Sequence, residues 1–160
     1  MGVHFIVDPS ASGILAEQIN RKRTVLEARI SQKLNSINTE LQRRIVGKLT
    51  GDVLQNRTGN LARSIEAIPA RIEGAVIEGS VQGGGGVAFY GKFQEYGTRG
   101  PYTILPKNAQ ALRFFIEGKL IFAKKVIHPG LKERSFMRST FTDMQPEIVA
   151  SLESVTKEPA

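Results

Sequence analysis

The sequence predicts an α+β fold, in which a long helix lies over an antiparallel sheet and a second helix closes it. Three observations predict this fold. Apolar residues recur at helical spacing over residues 14–54, the side-chain period changes to two over residues 70–81, and a second helical pattern covers residues 140–155. The chain has 160 residues and no cysteine. We therefore expect one domain, residues 1–160, whose core needs no disulfide or thiolate metal site.

One apolar stripe defines the centre of the long helix. Its members are spaced by three or four residues: Ile30, Leu34, Ile37, Leu41, Ile45 and Leu49. A continuous helix over residues 14–54 would be about 60 Å long, which is too long for a compact domain. We therefore expect a break near Asn20 or at Gly47, or an end that projects. The pattern favours packing on the protein's own sheet over a coiled coil, because the flanking charges fit heptads poorly.

Shorter elements complete the predicted fold. Residues 70–81 form a strand, or a hairpin that turns at Glu73-Gly74. The sequence Glu117-Gly118-Lys119 is typical of a hairpin turn. Thr58 or Asn60 can cap a short helical turn that follows. Further strands are expected at residues 3–7, 103–105, 111–116 and 120–127.

Three segments are expected to lie outside the regular elements. They are an N-terminal arm over residues 1–12, a glycine loop over 83–86 and a polar tail over 156–160. Four consecutive glycines have no side chains to pack, so we expect the loop to be mobile in a free subunit and to become ordered on assembly. The tail after Lys157 is expected to behave in the same way.

Four residues are expected to fix the turns and the terminal helix. Gly97 and Gly130 can adopt the positive φ that tight turns require. Phe136 and Phe141 can anchor the terminal helix to the sheet. The sequence therefore predicts structural roles for these four positions.

The net charge is +7, and one segment carries most of it. Between residues 99 and 132 the only acidic residue is Glu117, so the segment is locally +6. The segment is either a solvated basic face or a contact surface for an acidic partner or DNA. Arg113 and six further cations give the segment its charge, and these six are the candidate interface: Arg99, Lys107, Lys119, Lys124, Lys125 and Lys132.

No pattern in the chain predicts catalysis. The sequence from Gly86 to Phe93 fits a phosphate loop, but Phe93 stands where that loop needs the hydroxyl that binds magnesium. We interpret this segment as a flexible loop that enters an aromatic strand or turn. His4 and His128 belong to no metal-ligand cluster, and no serine elbow or carboxylate pair is visible. We therefore expect no enzymatic activity, cofactor or metal site.

DNA binding is the main alternative from another functional class. Aromatic side chains lie among the cations of the basic segment, and such mixtures can bind single strands. However, the aromatic residues alternate within strands, so at least half should face a core: Tyr102, Phe114, Phe115 and Phe122. No known nucleic-acid motif, membrane-length apolar run or signal peptide is visible, so we expect a protein made in a cytoplasm with no membrane partner.

Three ordered segments resemble the putative tail-component, or tail-completion, proteins of long-tailed bacteriophages. They cover residues 58–65, 90–98 and 104–138, and the resemblance extends over roughly residues 25–150. The middle segment is similar to a signature with a tyrosine, then an acidic residue, an aromatic residue and Gly-Thr. The last segment ends in a box similar to Arg-Pro-Phe-Leu. The residues of this sequence that carry the resemblance are Gly59, Leu61, Tyr90, Glu95, Tyr96, Gly97, Thr98, Pro129, Gly130 and Phe136.

The resemblance implies a long helix on a curved antiparallel sheet and a homo-oligomeric ring, with a hexamer favoured, on the head–tail axis. The implied partners are a connector or stopper ring, a tail terminator or the tail tube, with contact to passing DNA. The implied location is the virion neck or tail, assembled in the bacterial cytoplasm. Ser135 and Met137 depart from the proline and leucine that are common in the family's box.

Overall fold

A computed structural model describes residues 9–52 and 58–157 of the chain. This part contains four α-helices and six strands. The helices are α1 (Pro9–Gly47), α2 (Asn60–Arg63), α3 (Gly91–Tyr96) and α4 (Phe136–Lys157). The strands are β1 (Glu66–Glu73), β2 (Val76–Gln82), β3 (Tyr102–Ile104), β4 (Leu112–Ile116), β5 (Lys119–Ala123) and β6 (Val126–His128). Their order along the chain is α1, α2, β1, β2, α3, β3, β4, β5, β6 and α4.

The predicted α+β fold is confirmed, because α1, α4 and antiparallel strands are its main elements. Helix α1 packs on β1, β2 and α4. Within the described residues the strands form three separate antiparallel pairs, β1–β2, β3–β6 and β4–β5, rather than one continuous sheet. The core therefore lies between α1, the β1–β2 pair and α4.

Helix α1 both projects and ends at the predicted glycine. It continues through Asn20 without a break, and at Gly47 it passes into one π-helical turn, Lys48–Asp52. The C-terminal part of its apolar stripe is buried at Leu41, Ile45 and Leu49. Residues 13–26 are all exposed, so the N-terminal part of α1 extends beyond the core.

Amide side chains of α1 fix the position of the β1–β2 pair. The Asn35 side-chain oxygen Oδ1 accepts from the Ala70 backbone N–H at 2.7 Å. The Asn38 side-chain amide donates to the Ile68 carbonyl at 2.8 Å. Strand β1 is irregular between these two contacts, because Pro69 has no N–H to donate to β2. Asn35 and Asn38 therefore satisfy backbone groups at a point where the strand ladder is interrupted.

The hairpin predicted at Glu117-Gly118-Lys119 is confirmed, and of the two alternatives for residues 70–81 the structure has the hairpin, with its turn one residue later than expected. Residues 74 and 75 form the turn between β1 and β2, and Gly74 has φ 63°. Between β4 and β5, Glu117 and Gly118 have φ 49° and 79°, which is typical of a type I′ turn. Gly97 and Gly130 also have positive φ, 70° and 92°, as predicted.

The core joins the middle of the chain to the start of α4. Phe136 is 1% exposed, whereas Phe141 is 50% exposed, so the predicted anchoring role is wrong for Phe141. Phe141 lies five residues after Phe136, on a different side of α4, and opens onto the surface. The buried cluster contains Leu41, Ile45, Leu49, Leu61, Ile65, Ala88, Phe136 and Met144.

Several predicted boundaries differ from the structure. The strand expected over 120–127 is divided at Lys124-Lys125, because β5 pairs with β4 and β6 pairs with β3. The aromatic segment after the glycines is helical rather than extended. The N-cap of α2 is Gly59 rather than Thr58 or Asn60, and the Thr58 hydroxyl accepts only a long hydrogen bond, 3.5 Å, from the Asn60 amide. Residues 9–12 of the expected arm begin α1.

The two chain ends are partly outside the described residues. Helix α4 begins before residue 140 and continues through Lys157, so the first two residues of the expected tail are helical. The strand expected at 3–7 and the last three residues of the chain lie outside the described part. The expected ordering of the tail on assembly stays a prediction.

Candidate functional site

The second and third family-like segments meet at the start of α4. The buried carboxylate of Glu95 accepts hydrogen bonds from the backbone N–H groups of Met137 and Arg138, both at 2.9 Å. These are among the N–H groups that a helix leaves without an internal partner, and negative charge is favoured there. The Ser135 amide also donates to the Glu95 carbonyl at 3.1 Å. Glu95 thus joins segments about 40 residues apart in the chain.

A short bridge beyond Glu95 extends this junction. The Thr98 amide donates to the Leu131 carbonyl at 2.9 Å, and the Leu131 amide donates to the Thr98 hydroxyl at 2.8 Å. A Cβ atom on Gly97 would lie 2.7 Å from the Leu131 carbonyl oxygen. Gly97 is therefore required both by its positive φ and by the close approach of the opposite backbone.

The turn at Pro129-Gly130 also depends on glycines, because the two backbone segments approach each other closely there. A Cβ atom on Gly130 would lie 2.9 Å from the Thr98 carbonyl oxygen, and one on Gly100 would collide with the Pro129 carbonyl. The Gly130 amide donates to the His128 Nδ1 at 3.0 Å. Glycines 97, 100 and 130 therefore allow the two backbones that lead into β3 and out of β6 to lie side by side.

The first family-like segment has a packing role in the core. Leu61 is buried beside Ile65, and a Cβ atom on Gly91 would lie 2.6 Å from a methyl carbon of Leu61. Gly59 begins α2 with φ 73°, and Tyr90 packs against the core cluster. This segment therefore packs in the core and does not contribute to the bridge at Thr98.

The glycine loop has a packing role that the sequence did not predict. A Cβ atom on Gly83 would collide with Ile65, and the Gly84 amide donates to the Ser64 hydroxyl at 3.0 Å. The glycines make these contacts through their backbone atoms, against the side chains of Ile65 and Ser64. The mobility of the glycine loop in a free subunit stays a prediction.

All the predicted interface cations lie in the segment 99–132. This segment is called the arm from here on and is distinct from the expected N-terminal arm. The junction connects it to the rest of the described fold, residues 9–52, 58–98 and 133–157, which is called the body. Lys119 is at the tip of the β4–β5 hairpin, and Lys124-Lys125 lies at its base. Arg99 and Lys132 flank the bridge, and Lys107 lies in the loop before β4. The structure therefore places these residues along the length of the arm and does not gather them into one patch.

The arm's cations differ from those of the body in their pairing. Each predicted interface cation is exposed. Among the described residues, none of them forms an ion pair. In the body, by contrast, Arg44 pairs with Glu147 at 2.7 Å and Lys48 pairs with Asp143 at 2.9 Å. The positive charge of the arm is thus available to an external partner.

The arm also exposes an apolar face. Strands β4 and β5 pack mainly on each other, as do β3 and β6. Phe115 lies opposite Leu120 and Arg113 lies opposite Phe122, so these four side chains share one face of the hairpin. Phe115 and Phe122 are 65% and 64% exposed. Exposed apolar surface of this kind is typical of an interaction site.

The other aromatic residues of the arm are engaged or half-buried. The Tyr102 ring stacks on the His128 ring, with centroids 4.9 Å apart. Phe114 lies opposite Ile121 on the less exposed face of the hairpin. The arm therefore does not present a continuous row of free rings on which bases could stack.

The body has an open groove that sequence analysis missed. The groove has a volume of about 780 Å³ and is bordered by α1, β2, α3 and α4. Its apolar lining includes Leu34, Val81, Phe89, Tyr96 and Phe141. Because these residues lie far apart in the chain, no local pattern could have predicted the groove.

The projecting end of α1 is a second exposed apolar surface. Apolar side chains remain exposed along it: Ile14, Leu15, Ile19, Val25 and Leu26. The Arg23 guanidinium reaches the Gly74 carbonyl at 3.4 Å, so the tip of the β1–β2 hairpin lies beside α1 there. Ile72 and Val76 near that tip are 49% and 63% exposed. The periodicity predicted the helix but not this exposure.

The segment that resembles a phosphate loop runs from the loop after β2 into the six-residue helix α3, and Phe93 on that helix has no hydroxyl to bind magnesium. Gly86–Ala88 is a 3-10 turn, and Lys92 lies 5.1 Å from the centre of the Phe93 ring. Among residues 9–52 and 58–157, no group of three or more histidine, aspartate or glutamate side chains could hold a metal ion. No helix in this part of the chain is long and apolar enough to cross a membrane.

A charged network connects α1 to α4. Hydrogen bonds from Arg43, and then from Arg44, lower the pKa of Glu40 from its ordinary value of 4.5 to about 2. Arg44 is shared between Glu40 and Glu147, both at 2.7 Å, and these contacts raise the pKa of its guanidinium. The network therefore favours the charged form of Glu40.

Glu40 is expected to titrate near pH 2 in the folded protein, as followed by the NMR shift of its carboxyl carbon. Because its folded pKa is depressed, its contribution to stability is fully present above about pH 4.5 and is lost as the pH falls towards 2. Arg43→Ala should move the midpoint towards 4.5. A midpoint near 4.5 in the unmodified chain would contradict this network.

Glu95→Gln is expected to lower the free energy of unfolding by about 1–3 kcal/mol. The two carboxylate oxygens of Glu95 each accept one hydrogen bond, whereas the uncharged glutamine amide has only one oxygen to accept them. Urea denaturation measures this loss. Glu133→Gln is a matched control, because Glu133 is exposed and pairs only at the surface with Arg138. Its effect should remain within about 0.5 kcal/mol. Equal effects for the two variants would show that Glu95 is not a structural link.

Comparison of the chain with protein-family models, with curated proteins and with solved structures found no match.

Proposed function

We propose that this chain is a structural virion protein of a tailed bacteriophage, in the neck or tail-completion region, where it joins head to tail or finishes the head-proximal tail end. The observation that carries the proposal is the junction around Glu95. Two segments that resemble tail-completion proteins meet there, and together they attach a basic arm to the body. On this proposal the family-like residues of the second and third segments, from Glu95 to Thr98 and from Pro129 to Phe136, hold the arm in place, and the arm makes contacts outside the subunit.

The distribution of charge supports a joining role. The arm's cations are exposed and lack ion pairs within the described residues, whereas the body's ion pairs include contacts between α1 and α4. An acidic surface on a neighbouring ring would attract the arm, speed docking and set its orientation. Such a protein acts through surfaces and needs no catalysis, so we propose no enzymatic role.

The exposed apolar surfaces support assembly into a homo-oligomer. Phe115, Phe122 and the projecting part of α1 leave apolar side chains in water in the single subunit. Burial of apolar surface is the dominant favourable term in most protein association. When each subunit contacts the next through two different surfaces, and the rotation from one subunit to the next divides a full turn evenly, the subunits form a closed ring.

Lys124→Glu with Lys125→Glu is expected to weaken head–tail joining while the fold remains intact. These exposed residues lie in the bend between β5 and β6, so the reversal should not disturb the core. Joining is measured as infectious particles formed when variant protein is mixed with separate heads and tails. Raised salt should partly restore joining, since charges are screened over roughly 8–10 Å at physiological ionic strength.

A control with the same change in net charge is Lys33→Glu with Lys157→Glu; because Lys33 is half-buried and Lys157 pairs with Glu153, circular dichroism first establishes that this variant is folded. Its two substitutions lie on the body helices α1 and α4. The control should join heads to tails as well as the unmodified protein does. If both double variants lose joining equally, the arm has no specific role.

DNA contact is the second candidate function, favoured by the exposed face where Arg113 lies beside Phe115 and Phe122. Exposed rings with cations can stack on the bases of a single strand. The discriminating measurement is fluorescence anisotropy with labelled single-stranded and duplex DNA over a range of salt. Tight, salt-dependent binding by the isolated subunit would favour this function over head–tail joining.

A further inference from the structure

The β4–β5 hairpin lacks the support that two strands need. An isolated two-stranded hairpin is marginally stable in water, and three strands or a covering element are usually required. Here the face with Phe115, Leu120 and Phe122 is exposed and touches no other described element extensively. The hairpin's own composition therefore indicates that another surface covers it in the assembled state.

The groove in the body offers such a surface beside an unpaired strand. Gly79, Ser80 and Val81 all border it. Gly79 and Val81 lie on the face of β2 that packs on α1 and the core, whereas Ser80 between them points to the other face, so Ser80 borders the groove through the backbone of β2. Within the described residues, the edge of β2 away from β1 pairs with no further strand. Unpaired edges accept an added strand from another chain.

Charge and size favour a second copy of this chain as the occupant. The β1–β2 hairpin, whose edge strand would receive the added strand, has three exposed glutamates, Glu66, Glu73 and Glu78, against Arg71, for a net charge of −2. The charged residues that line the groove itself are Lys92, Arg138 and the buried Glu95, so the complementary charge lies on the β1–β2 hairpin beside the groove. The arm has a net charge of +6. Phe115 and Phe122 together would bury roughly 200–300 Å². That is about a third of the roughly 800 Å² that each partner contributes to a standard interface, and the rest of the arm can supply the remainder.

We propose that the β4–β5 hairpin of one copy lies in the groove of the next copy, where it adds to the free edge of β2. Phe115 and Phe122 then cover Leu34, Tyr96 and Phe141 of the neighbour. Each copy has one hairpin and one groove, so the contact joins two different surfaces of neighbouring copies and repeats around a ring. The inference rests on the proposed function in one respect, the closed ring, and it names the contact between its subunits.

Intermolecular disulfides test this contact directly, because the chain contains no cysteine. Full-length Phe122→Cys protein, enlarged by a tag, is mixed with untagged Phe141→Cys protein under mild oxidation. We expect several-fold more mixed disulfide dimer than in a mixture of Phe122→Cys with Val149→Cys. Val149 is a matched control on the same helix, 49% exposed against 50% for Phe141, and it does not line the groove. Equal or absent cross-linking would overturn the proposal.

Oligomer size gives a second, independent measurement. Analytical ultracentrifugation should find an oligomer for the unmodified chain and the loss of that oligomer for Phe122→Glu, with unchanged circular dichroism. Val149→Glu should keep the oligomer. A monomeric unmodified chain, or an oligomer that survives Phe122→Glu, would overturn the proposal. If Phe122→Glu fails to fold, the disulfide measurement still decides, because its variants retain an uncharged side chain.

These results are separate from a failure of the proposed function. If purified copies cross-link as expected but particles form without the protein, the contact between copies is correct and the joining role is wrong. If joining needs the protein but no mixed disulfide forms, the joining role stands and the hairpin contact is wrong.

Discussion

Replacing Phe136 with alanine is expected to lower the free energy of unfolding by about 3–5 kcal/mol. The Phe136 side chain is 1% exposed and lies in the cluster that contains Ile45, Leu61 and Ile65. Truncation loses the transfer free energy of the ring and leaves a cavity that α1 and α4 cannot easily close. Because native domains are stable by only about 5–15 kcal/mol, a large fraction of the molecules should unfold at raised temperature.

Phe141→Ala is the matched control for this prediction. It makes the same chemical change on the same helix, but Phe141 is 50% exposed. The loss of stability, measured by urea denaturation, should therefore be well below that of Phe136→Ala. If Phe136→Ala keeps its unfolding midpoint but loses assembly, Phe136 is a contact residue rather than a core residue.

Local periodicity predicted the long elements because it reports which side of an element is buried. The stripe from Ile30 to Leu49 identified α1, and the turn residues at 73–74 and 117–118 identified both hairpins. These signals depend on neighbours within a few residues of the chain. For this reason they do not require knowledge of the rest of the fold.

Pairing over long distances was less predictable. Residues 120–127 are continuously β-prone, and only their two different partners, β4 and β3, divide them at Lys124-Lys125. The aromatic composition before Gly97 favoured an extended strand or turn. In the structure this segment is instead the short helix α3, and Glu95 on that helix contacts the first turn of α4.

The candidate site shows the same division. The charge of the arm could be counted in the sequence, and the glycine turns at 97 and 130 could be predicted from residue type. The capping role of Glu95 could not, because its partners, Met137 and Arg138, are about 40 residues away. The groove likewise exists only when four separate elements meet.

The largest biological effect is expected from removal of the protein. On the proposed function, a phage that lacks it should package DNA and build tails, but the two should not join. Infectious particles should fall to a small fraction of the normal yield, and a supplied copy of the unmodified gene should restore them. Supplied Lys124→Glu with Lys125→Glu should restore them only partly.

Electron microscopy of lysates that lack this protein is the most direct test of the central claim. The proposed function predicts filled heads and complete or nearly complete tails that lie separately, or that are joined without infectivity. Empty heads with unpackaged DNA would favour the DNA-contacting function instead. Complete infectious particles in normal numbers would contradict the joining role.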